Sequence, residues 1–324
     1  MVGAGSEWET TESGDVVETR RIGSLEVSVV GLGTNNFGGR IDESASAEVL
    51  DAAIDFGVNF IDTADVYGAT QSETFIGNLL GARRSKVVLA TKFGMSVGGS
   101  LAGGSPSYMR QALEASLDRL KTDYIDLYIY HRPDPATPIA ETLGALDEVV
   151  REGKVREIGC SNFSVDQLRE AETATRDGAA RIVNLQNNYS LLHREPESGV
   201  LEECVRQTVG FVPYWPLASG LLTGKYRKDA PIPEGTRIAK MAVERRQEAL
   251  SEHNLDIVER LITFAAEHDR SLLELALSWL LAQPSVASVI AGATTRMQLG
   301  ENVEAVTWKL SDDELTAIDA IASA

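Results

Sequence analysis

Eight short apolar runs recur along the chain and are the feature that most limits what it can fold into. The runs begin at Glu26, Val58, Lys86, Asp126, Val155, Arg181, Gly210 and Val286. Several are nearly continuous in β-branched and aromatic residues, which is typical of parallel strands that are covered on both faces. The sequence therefore predicts eight buried, parallel strands.

The segments between these runs carry helical patterns. In residues 137–154, Thr137 and Pro138 suit the N-cap and first helical positions, and Gly153 suits the end of the helix. Another helix is predicted from Ser164, which forms a capping box with Gln167. Eight strands that alternate with helices favour an α/β fold of the (β/α)8 TIM-barrel type over a doubly wound sheet.

The barrel is predicted to be a single domain over residues 19–324. Residues 1–18 are rich in Gly, Ser, Thr and Glu and are interpreted as a flexible tail, not a signal peptide. Residues 18–27, with Gly23 and Ser24 between two short runs, predict a hairpin that closes the bottom of the barrel. A long segment separates the seventh run from the eighth. Residues 254–267 and 271–282 of it are predicted helices, and residues 219–251 a long, functional loop.

Composition excludes several classes of function. The 324 residues carry a formal net charge of −18, which disfavours nucleic acid and anionic membranes as partners. The chain contains no apolar run of about 18 residues, so we expect no membrane span. The two cysteines, Cys160 and Cys204, make neither a disulfide framework nor a metal site, and a reducing cytoplasm fits them best.

Polar side chains end almost every predicted strand. In a barrel of this type the carboxyl ends of the strands surround the active site. The sequence FIDTADVYG brings Asp62 and Tyr67, and the next two runs end in Lys92 and His131. A Tyr hydroxyl has a reference pKa near 10, and a neighbouring ammonium lowers the pKa of a phenol. We therefore expect Tyr67 to donate a proton to a carbonyl oxygen, tuned by Lys92 and Asp62, with His131 orienting that oxygen.

With these four residues in place, the chain resembles a known family, the aldo-keto reductases, from about residue 20 to residue 322. The motifs that carry the resemblance are GLGTNNFGG, FIDTADVYG, TKFG, DLYIYHRPDP, GKVREIGCSNFS, LQNNYSLL, PLASGLLTGKY and GATTRMQLGENV. The resemblance implies a (β/α)8 carbonyl reductase that uses NADP(H), with Asp62, Tyr67, Lys92 and His131 as the catalytic residues. Some members of the family are instead potassium-channel auxiliary subunits that hold the cofactor and turn over slowly, so a sensor or binding role is the alternative.

The same resemblance implies the cofactor site. Its residues are Thr34, Asn35, Asp62, Ser161, Asn162, Gln186, Tyr214, Leu217, Ser219, Lys225, Arg237, Gly292, Thr294, Gln298, Glu301 and Asn302. Ser161, Asn162 and Gln186 hold the nicotinamide carboxamide in this scheme, and Tyr214 stacks on the ring, although the neighbouring Trp215 leaves the identity of the stacking aromatic open. Charge supports the phosphate end, because residues 225–246 contain seven basic and three acidic residues.

Two departures from the family pattern bear on the choice of cofactor. Gly292 and Gln298 replace a Lys and an Arg that commonly hold the 2′-phosphate of NADP. NAD(H) therefore stays open as the cofactor, with Arg296 and the helix start near Thr295 as the remaining candidates for phosphate binding.

Two other folds or activities are compatible with parts of the sequence, and the identity of the substrate is open. A Rossmann domain is suggested by GLGTNN, but Asn36 stands where that fingerprint needs Gly or Ala. A Schiff-base aldolase that uses Lys92 is a second rival. The predicted substrate is a small carbonyl compound of open identity, and the oligomeric state is open too. Residues expected near the substrate are Phe37, Phe93, Tyr130, Arg132 and Trp215.

Overall fold

The computed structural model describes residues 17–97 and 103–323, and in that part the chain forms a hairpin and an eight-stranded parallel sheet. The hairpin strands are β1 (Thr19–Ile22) and β2 (Leu25–Ser28). The parallel strands are β3 (Val30–Gly33), β4 (Phe60–Asp62), β5 (Val88–Phe93), β6 (Ile125–Tyr130), β7 (Val155–Ser161), β8 (Ile182–Gln186), β9 (Gly210–Phe211) and β10 (Val289–Gly292). Their order in the sheet is β10-β3-β4-β5-β6-β7-β8-β9.

The two edges of this sheet meet beside Phe211. The Phe211 N–H donates to the carbonyl of Ser285, and the Ala287 N–H donates to the carbonyl of Phe211, both at 2.8 Å. Phe211 also makes a parallel bridge with Val286, just before β10. The strands therefore curl into a (β/α)8 barrel, as the sequence predicted.

The hairpin covers the amino-terminal end of the barrel. Its turn lies at Gly23, where φ is +57°, a conformation that glycine adopts without the steric cost of a side chain. Ile22 and Leu25 are buried against Val88 and Val183, which begin or nearly begin their strands. The predicted hairpin is confirmed, but the first apolar run is not one strand, because residues 26–28 belong to β2 and the barrel strand starts at Val30.

Helices surround the barrel and bury their apolar faces against the outside of the strands. They are α1 (Glu43–Asp55), α2 (Gln71–Leu80), α3 (Pro106–Leu120), α4 (Ile139–Arg151), α5 (Val165–Ala174), α6 (Val200–Gln207), α7 (Val243–Ala249), α8 (Glu252–Glu267), α9 (Leu272–Leu281), α10 (Arg296–Glu304) and α11 (Asp312–Ala322). None of the helices in this described part of the chain is long and apolar enough to cross a membrane.

Most of the predicted helix ends are confirmed, with one error of a single residue. Ser164 forms the expected capping box with Gln167 at the start of α5. Gly153, with φ +77°, follows the C-cap of α4. The N-cap of α4 is Pro138, however, and not Thr137. The Thr137 hydroxyl instead donates to the Asp134 carboxylate at 2.7 Å, which stabilises the preceding turn.

The segment between β9 and β10 is mostly helical. It contains two 3-10 turns, Ala218–Thr223 and Ile238–Lys240, followed by α7, α8 and α9. The predicted helices over 254–267 and 271–282 correspond to α8 and α9. The stretch expected as a loop, 219–251, includes α7 and both 3-10 turns, and it is anchored by the buried Leu221, Leu222 and Ile238.

Most of the predicted N-terminal tail lies outside the described residues. Val17 and Glu18, its last two residues, are packed on the barrel. The Val29 N–H donates to the Glu18 carbonyl at 2.9 Å, and the Glu18 carboxylate pairs with Lys309 at 2.7 Å.

Candidate active site

A cavity of about 1200 Å³ opens at the carboxyl ends of the strands. It extends from Tyr67 and His131 at one end to Gln298 and Glu304 at the other. Cavities that hold a single small ligand usually measure about 300–1,000 Å³. This cavity is therefore large enough for two ligands, or for one long ligand and a small second one.

The Lys92 ammonium is the centre of the four predicted catalytic residues, Asp62, Tyr67, Lys92 and His131. It donates to the Asp62 carboxylate and to the Thr63 carbonyl, both at 2.7 Å, and to the Tyr67 hydroxyl oxygen at 3.4 Å. An ammonium has three hydrogens to donate, so all three are used. The other oxygen of Asp62 accepts from the Gln186 side chain at 2.8 Å. Strands β4, β5 and β8 are thus joined through one buried network.

The pKa of the Tyr67 phenol corrects the expectation from the sequence. Burial raises that pKa, the Lys92 ammonium lowers it and the Asp62 carboxylate raises it, with a net rise above 10.0. The ammonium does not bring the pKa below 10.0, because burial has the larger effect and the Asp62 carboxylate, 2.7 Å from that ammonium, opposes it. Tyr67 is consequently a neutral phenol near pH 7, not an acidified one.

Lys92 itself keeps its proton. Burial alone would lower its pKa, but the Asp62 carboxylate and the Tyr67 phenol outweigh that effect and raise it above 10.5. A Schiff-base nucleophile must be a free amine. The ion pair therefore disfavours the aldolase interpretation, and the parallel barrel excludes the Rossmann one.

His131 lies edge-on to Tyr67, with the ring centroids 6.1 Å apart. Burial, followed by the charges of Lys92 and Arg132, lowers its pKa to about 3. The ring is therefore neutral near pH 7, with one N–H donor and one acceptor nitrogen. Its buried Nδ1 has no hydrogen-bond partner in the part of the chain that the structure describes.

A second cluster follows the ends of β7 and β8. The Asn162 amide donates to the His131 carbonyl and to the Ser161 hydroxyl oxygen, both at 2.9 Å, and its oxygen accepts from the Tyr214 hydroxyl at 2.8 Å. Asn162 has φ +61°, a costly conformation for a residue with a side chain. Its backbone N–H donates to the Gln186 carbonyl and the Asn187 side chain, which fix that conformation.

The structure brings almost all of the predicted site residues to this cavity. Those that line it are Asn35, Asp62, Tyr67, Lys92, His131, Ser161, Asn162, Gln186, Tyr214, Leu217, Ser219, Lys225, Arg237, Gly292, Thr294, Gln298, Glu301 and Asn302. Thr34 is the exception, because it is fully buried and its hydroxyl donates to the Asp62 carbonyl at 2.9 Å. Its contact is with the barrel wall, where Ser72 also donates to it.

Three cations, Arg40, Lys225 and Arg237, group together on the cavity wall, and only Lys225 and Arg237 were predicted from the sequence. Burial and the charge of Arg40 lower the pKa of both Lys225 and Arg237, with Arg237 also acting on Lys225. Arg40 lines the cavity and has no ion pair within residues 17–97 and 103–323. Its position at the end of GLGTNNFGGR, on the same loop as Asn35, was the available signal.

Arg296, the remaining candidate for binding the 2′-phosphate, lies outside the cavity. Arg296 pairs with Asp55 at 2.7 Å and lies over the Phe56 ring, so its guanidinium is held on α1, and Arg296 does not line the cavity. Gln298 accepts from the backbone N–H and the hydroxyl of Thr294, both at 2.9 Å. With this acidic partner, which is distant in sequence, Arg296 is a weaker candidate for phosphate binding than the cations that line the cavity.

Only two of the five residues expected near the substrate reach the cavity. Phe37, Phe93 and Tyr130 are at most 3% exposed and pack in the core between the strands and the helices. Arg132 and Trp215 line the cavity. Trp215 is 52% exposed and has φ +54°, which is an outlier for a bulky side chain and is typical of functional sites.

No group of three or more His, Cys, Asp or Glu in the described ranges, 17–97 and 103–323, is placed to hold a metal ion. The polar groups that line the cavity include one buried ammonium, a phenol, an imidazole, amides and three grouped cations.

Comparisons with known proteins place this chain in a family. The model of the aldo/keto reductase family matches residues 29–323. Probable aldo-keto reductase 1 of Glycine max is 36% identical over 303 residues, which cover 91% of this chain and 85% of that protein. Protein tas of Escherichia coli (strain K12) is also 36% identical, with 92% and 95% covered. Aldo-keto reductase yakc [NADP(+)] of Schizosaccharomyces pombe is 35% identical, with 91% and 88% covered.

The match extends over nearly the whole barrel, and each of these relatives covers more than nine-tenths of the chain. The protein with this phenol, ammonium and imidazole at the mouth of its barrel therefore belongs to the aldo/keto reductase family and is an oxidoreductase.

Proposed function

We propose that the protein reduces an aldehyde or a ketone to an alcohol with NADPH, and that Tyr67 donates the proton. The observation that carries this proposal is the direction of one hydrogen bond. The Tyr67 oxygen accepts a hydrogen from Lys92, so its own hydrogen is not used in that bond. Tyr67 lines the cavity, and this hydrogen is available to a carbonyl oxygen there.

The amide cluster beside Tyr67 suits a nicotinamide carboxamide. Ser161 accepts from Asn162, which leaves the Ser161 hydroxyl hydrogen to donate. Gln186 donates to Asp62, which leaves its oxygen to accept, and Asn162 retains one lone pair. A carboxamide offers one acceptor and two donors, and these residues offer one donor and two acceptors. Tyr214, whose hydroxyl is tied to Asn162, is the better placed aromatic to stack on the ring.

The rest of the cavity suits the phosphates of a dinucleotide. Arg40, Lys225 and Arg237 supply positive charge on its wall in a protein of net charge −18. Glu301 acts on Lys225, but none of the three cations has an ion pair among the described residues, and grouped cations of this kind favour a polyanionic ligand. NADP(+) appears in the name of the fission-yeast relative, which supports the same cofactor here. With Arg296 held by Asp55, we expect only a modest preference for NADPH over NADH.

When bound, the cofactor supplies a hydride to the carbonyl carbon. The protein then has to neutralise the negative charge that develops on the carbonyl oxygen. Tyr67 transfers its proton to that oxygen, and the phenolate that remains is stabilised by Lys92 at 3.4 Å. Asp62 and Gln186 hold the ammonium in place, and Asp62 has both oxygens engaged, so it is not the proton donor.

His131 orients the substrate in this scheme. Because it stays neutral above pH about 3, it offers one N–H to the carbonyl oxygen and no competing charge. Its ring centroid lies 6.1 Å from that of Tyr67, and we expect both groups to contact the same carbonyl oxygen.

The proposal is tested by Tyr67→Phe. We expect kcat for a good aldehyde to fall by about 10²–10⁴, which is the usual effect of removing a general acid. NADPH affinity and the unfolding temperature should remain near those of the parent, since the ring still packs. The matched control is Tyr124→Phe, since Tyr124 lies outside the cavity with its ring beneath Arg84.

Three outcomes are informative. Near-parental turnover by Tyr67→Phe shows that the proton comes from another group. Failure of the parent to bind NADPH or NADH at millimolar concentration contradicts the oxidoreductase mechanism itself. Tight NADPH binding with very slow turnover of every aldehyde and ketone tried favours the sensor alternative.

A further inference from the structure

The catalytic end of the cavity continues past Tyr67 and His131 to two residues that the proposed reaction does not use. These are Arg132, which directly follows His131, and Trp215, which directly follows Tyr214. Both line the cavity and both are exposed, Trp215 by 52%. The apolar side chains of Val66 and Met95 line the same end. A substrate whose carbonyl reaches Tyr67 therefore has its remaining atoms beside an indole and a guanidinium.

Arg132 is a free cation at this position. Its charge lowers the pKa of both His131 and Tyr214, which shows that the guanidinium is near the catalytic groups. Over the residues that the structure describes, Arg132 has neither an ion pair nor a side-chain hydrogen bond. The nearest acid along the chain, Asp134, already accepts from Thr137 and from two backbone N–H groups. An arginine without a partner beside a ligand cavity is suited to binding a carboxylate through two parallel hydrogen bonds.

The other charges near this end leave the Arg132 guanidinium unpaired. Glu195 acts on Tyr214 in the opposite sense to Arg132, but its carboxylate is exposed and lies 3.7 Å from the His193 ring, and it makes no ion pair with Arg132. Lys92 is compensated by Asp62 at 2.7 Å and is buried, so it offers no free charge to a substrate. The cations Arg40, Lys225 and Arg237 act on one another and belong to the proposed phosphate end. Arg132 is thus the lining cation left for the substrate among the described residues.

Trp215 provides the flat surface. Its ring is perpendicular to that of Tyr214, with centroids 5.6 Å apart, so its own faces are not stacked on Tyr214. Its positive φ is held by the following turn, in which the Ala218 N–H donates to the Trp215 carbonyl at 2.9 Å. Backbone strain of this kind persists where the surrounding structure enforces it, and it is concentrated at functional sites.

We propose, building on the proposed function, that the substrate is an aromatic aldehyde or ketone that carries a carboxylate. Arg132 binds the carboxylate, and Trp215 packs against the aromatic ring while the carbonyl oxygen contacts Tyr67. Both residues act on substrate binding, with the transfer of hydride and proton unchanged.

The test compares two aldehydes of nearly the same shape, 4-carboxybenzaldehyde and the uncharged 4-nitrobenzaldehyde, with NADPH and the full-length protein. Arg132→Gln should lower kcat/KM for the carboxylate about tenfold to a hundredfold, mainly through KM, and change that for the nitro compound by less than about threefold. Arg132→Lys should give an intermediate loss, because it keeps the charge without the two parallel bonds. The matched control is Arg176→Gln, an exposed arginine outside the cavity.

Trp215→Leu tests the second contact. It should lower kcat/KM for both aromatic aldehydes by about twofold to tenfold and leave that for the aliphatic 4-oxobutanoate within about twofold. Unfolding temperatures of all variants should match that of the parent, since both side chains are exposed.

The outcomes separate this inference from the proposed function. If the parent reduces 4-nitrobenzaldehyde and Arg132→Gln lowers both aldehydes equally, or neither, the carboxylate assignment is wrong while the reductase stands. If the parent reduces no aldehyde with NADPH or NADH, the proposed function fails and this inference fails with it. An equal loss of 4-oxobutanoate in Trp215→Leu overturns the role of the indole as an aromatic contact.

Discussion

Asp65 lies two residues before Tyr67 and is a poorly satisfied buried acid. It is 1% exposed, and neither side-chain oxygen makes a well-formed hydrogen bond with a described residue, although the N–H of the adjacent Val66 lowers its pKa somewhat. Burial, and then the charge of Glu73, raise its pKa from 3.8 to about 7, against a smaller opposing effect of Arg119. Glu73 is itself satisfied by Arg119 at 2.7 Å and by Thr91 at 2.5 Å. We predict that replacing Asp65 by Asn changes how stability depends on pH.

The magnitude follows from the pKa. A rise from 3.8 to about 7 is about three pH units, and each is worth 1.36 kcal/mol, so the full effect is about 4 kcal/mol. Below pH about 3 the carboxyl is protonated in both the folded and the unfolded chain. Between pH 4 and 7 the unfolded chain releases the proton first, so the free energy of unfolding of the parent falls as pH rises, and it levels off above pH 7.

Asn has no proton to release, so Asp65→Asn lacks this decline. We expect the variant to gain about 3 kcal/mol over the parent between pH 4.5 and pH 8, because the unfolded chain has already released most of this proton at pH 4.5, on top of a constant offset from the amide. Urea unfolding at pH 4.5, 5.5, 6.5 and 8 measures the difference. Asp123→Asn is the matched control, because Asp123 is exposed and has no ion pair in the described ranges. A difference between Asp65→Asn and the parent that stays flat with pH would refute the reasoning.

Two further predictions concern the cofactor and the packing of the helices. Arg40→Ala should weaken NADPH binding about tenfold, because one of the three grouped cations is lost, whereas Arg296→Ala should change the affinity by less than about twofold. Fluorescence titration measures both affinities. A larger loss of affinity in Arg296→Ala than in Arg40→Ala would show that the phosphates lie elsewhere. Gly77→Ala should lower the free energy of unfolding by about 1–3 kcal/mol, since the added Cβ would lie 2.2 Å from the Arg119 carbonyl oxygen. Gly144→Ala in α4 should raise the free energy of unfolding by about 0.5–1 kcal/mol, because open space surrounds that position. Urea unfolding measures both changes, and equal effects would contradict the packing of α2 on α3.

Local patterns in the sequence determined the architecture. Each of the eight apolar runs overlaps one barrel strand, and the capping box at Ser164 and the glycines at Gly23 and Gly153 mark element ends. Periodicity and capping depend on residues a few positions apart, so they can be read without tertiary structure. The gathering of Asp62, Tyr67, Lys92 and His131 follows as well, because parallel strands bring their carboxyl ends to one side of the barrel.

Only the tertiary structure decided how individual side chains are used. The sequence leaves Arg296 open as a phosphate ligand, and only the structure shows that Asp55, 241 residues away, pairs with it. The sequence around Asp65 gives no sign that its carboxylate is buried and poorly satisfied. The direction of the Tyr67 pKa also depends on the competition between burial, Lys92 and Asp62. The reason is physical: charge compensation and desolvation depend on distances between residues from separate strands and helices, and folding alone brings those residues together.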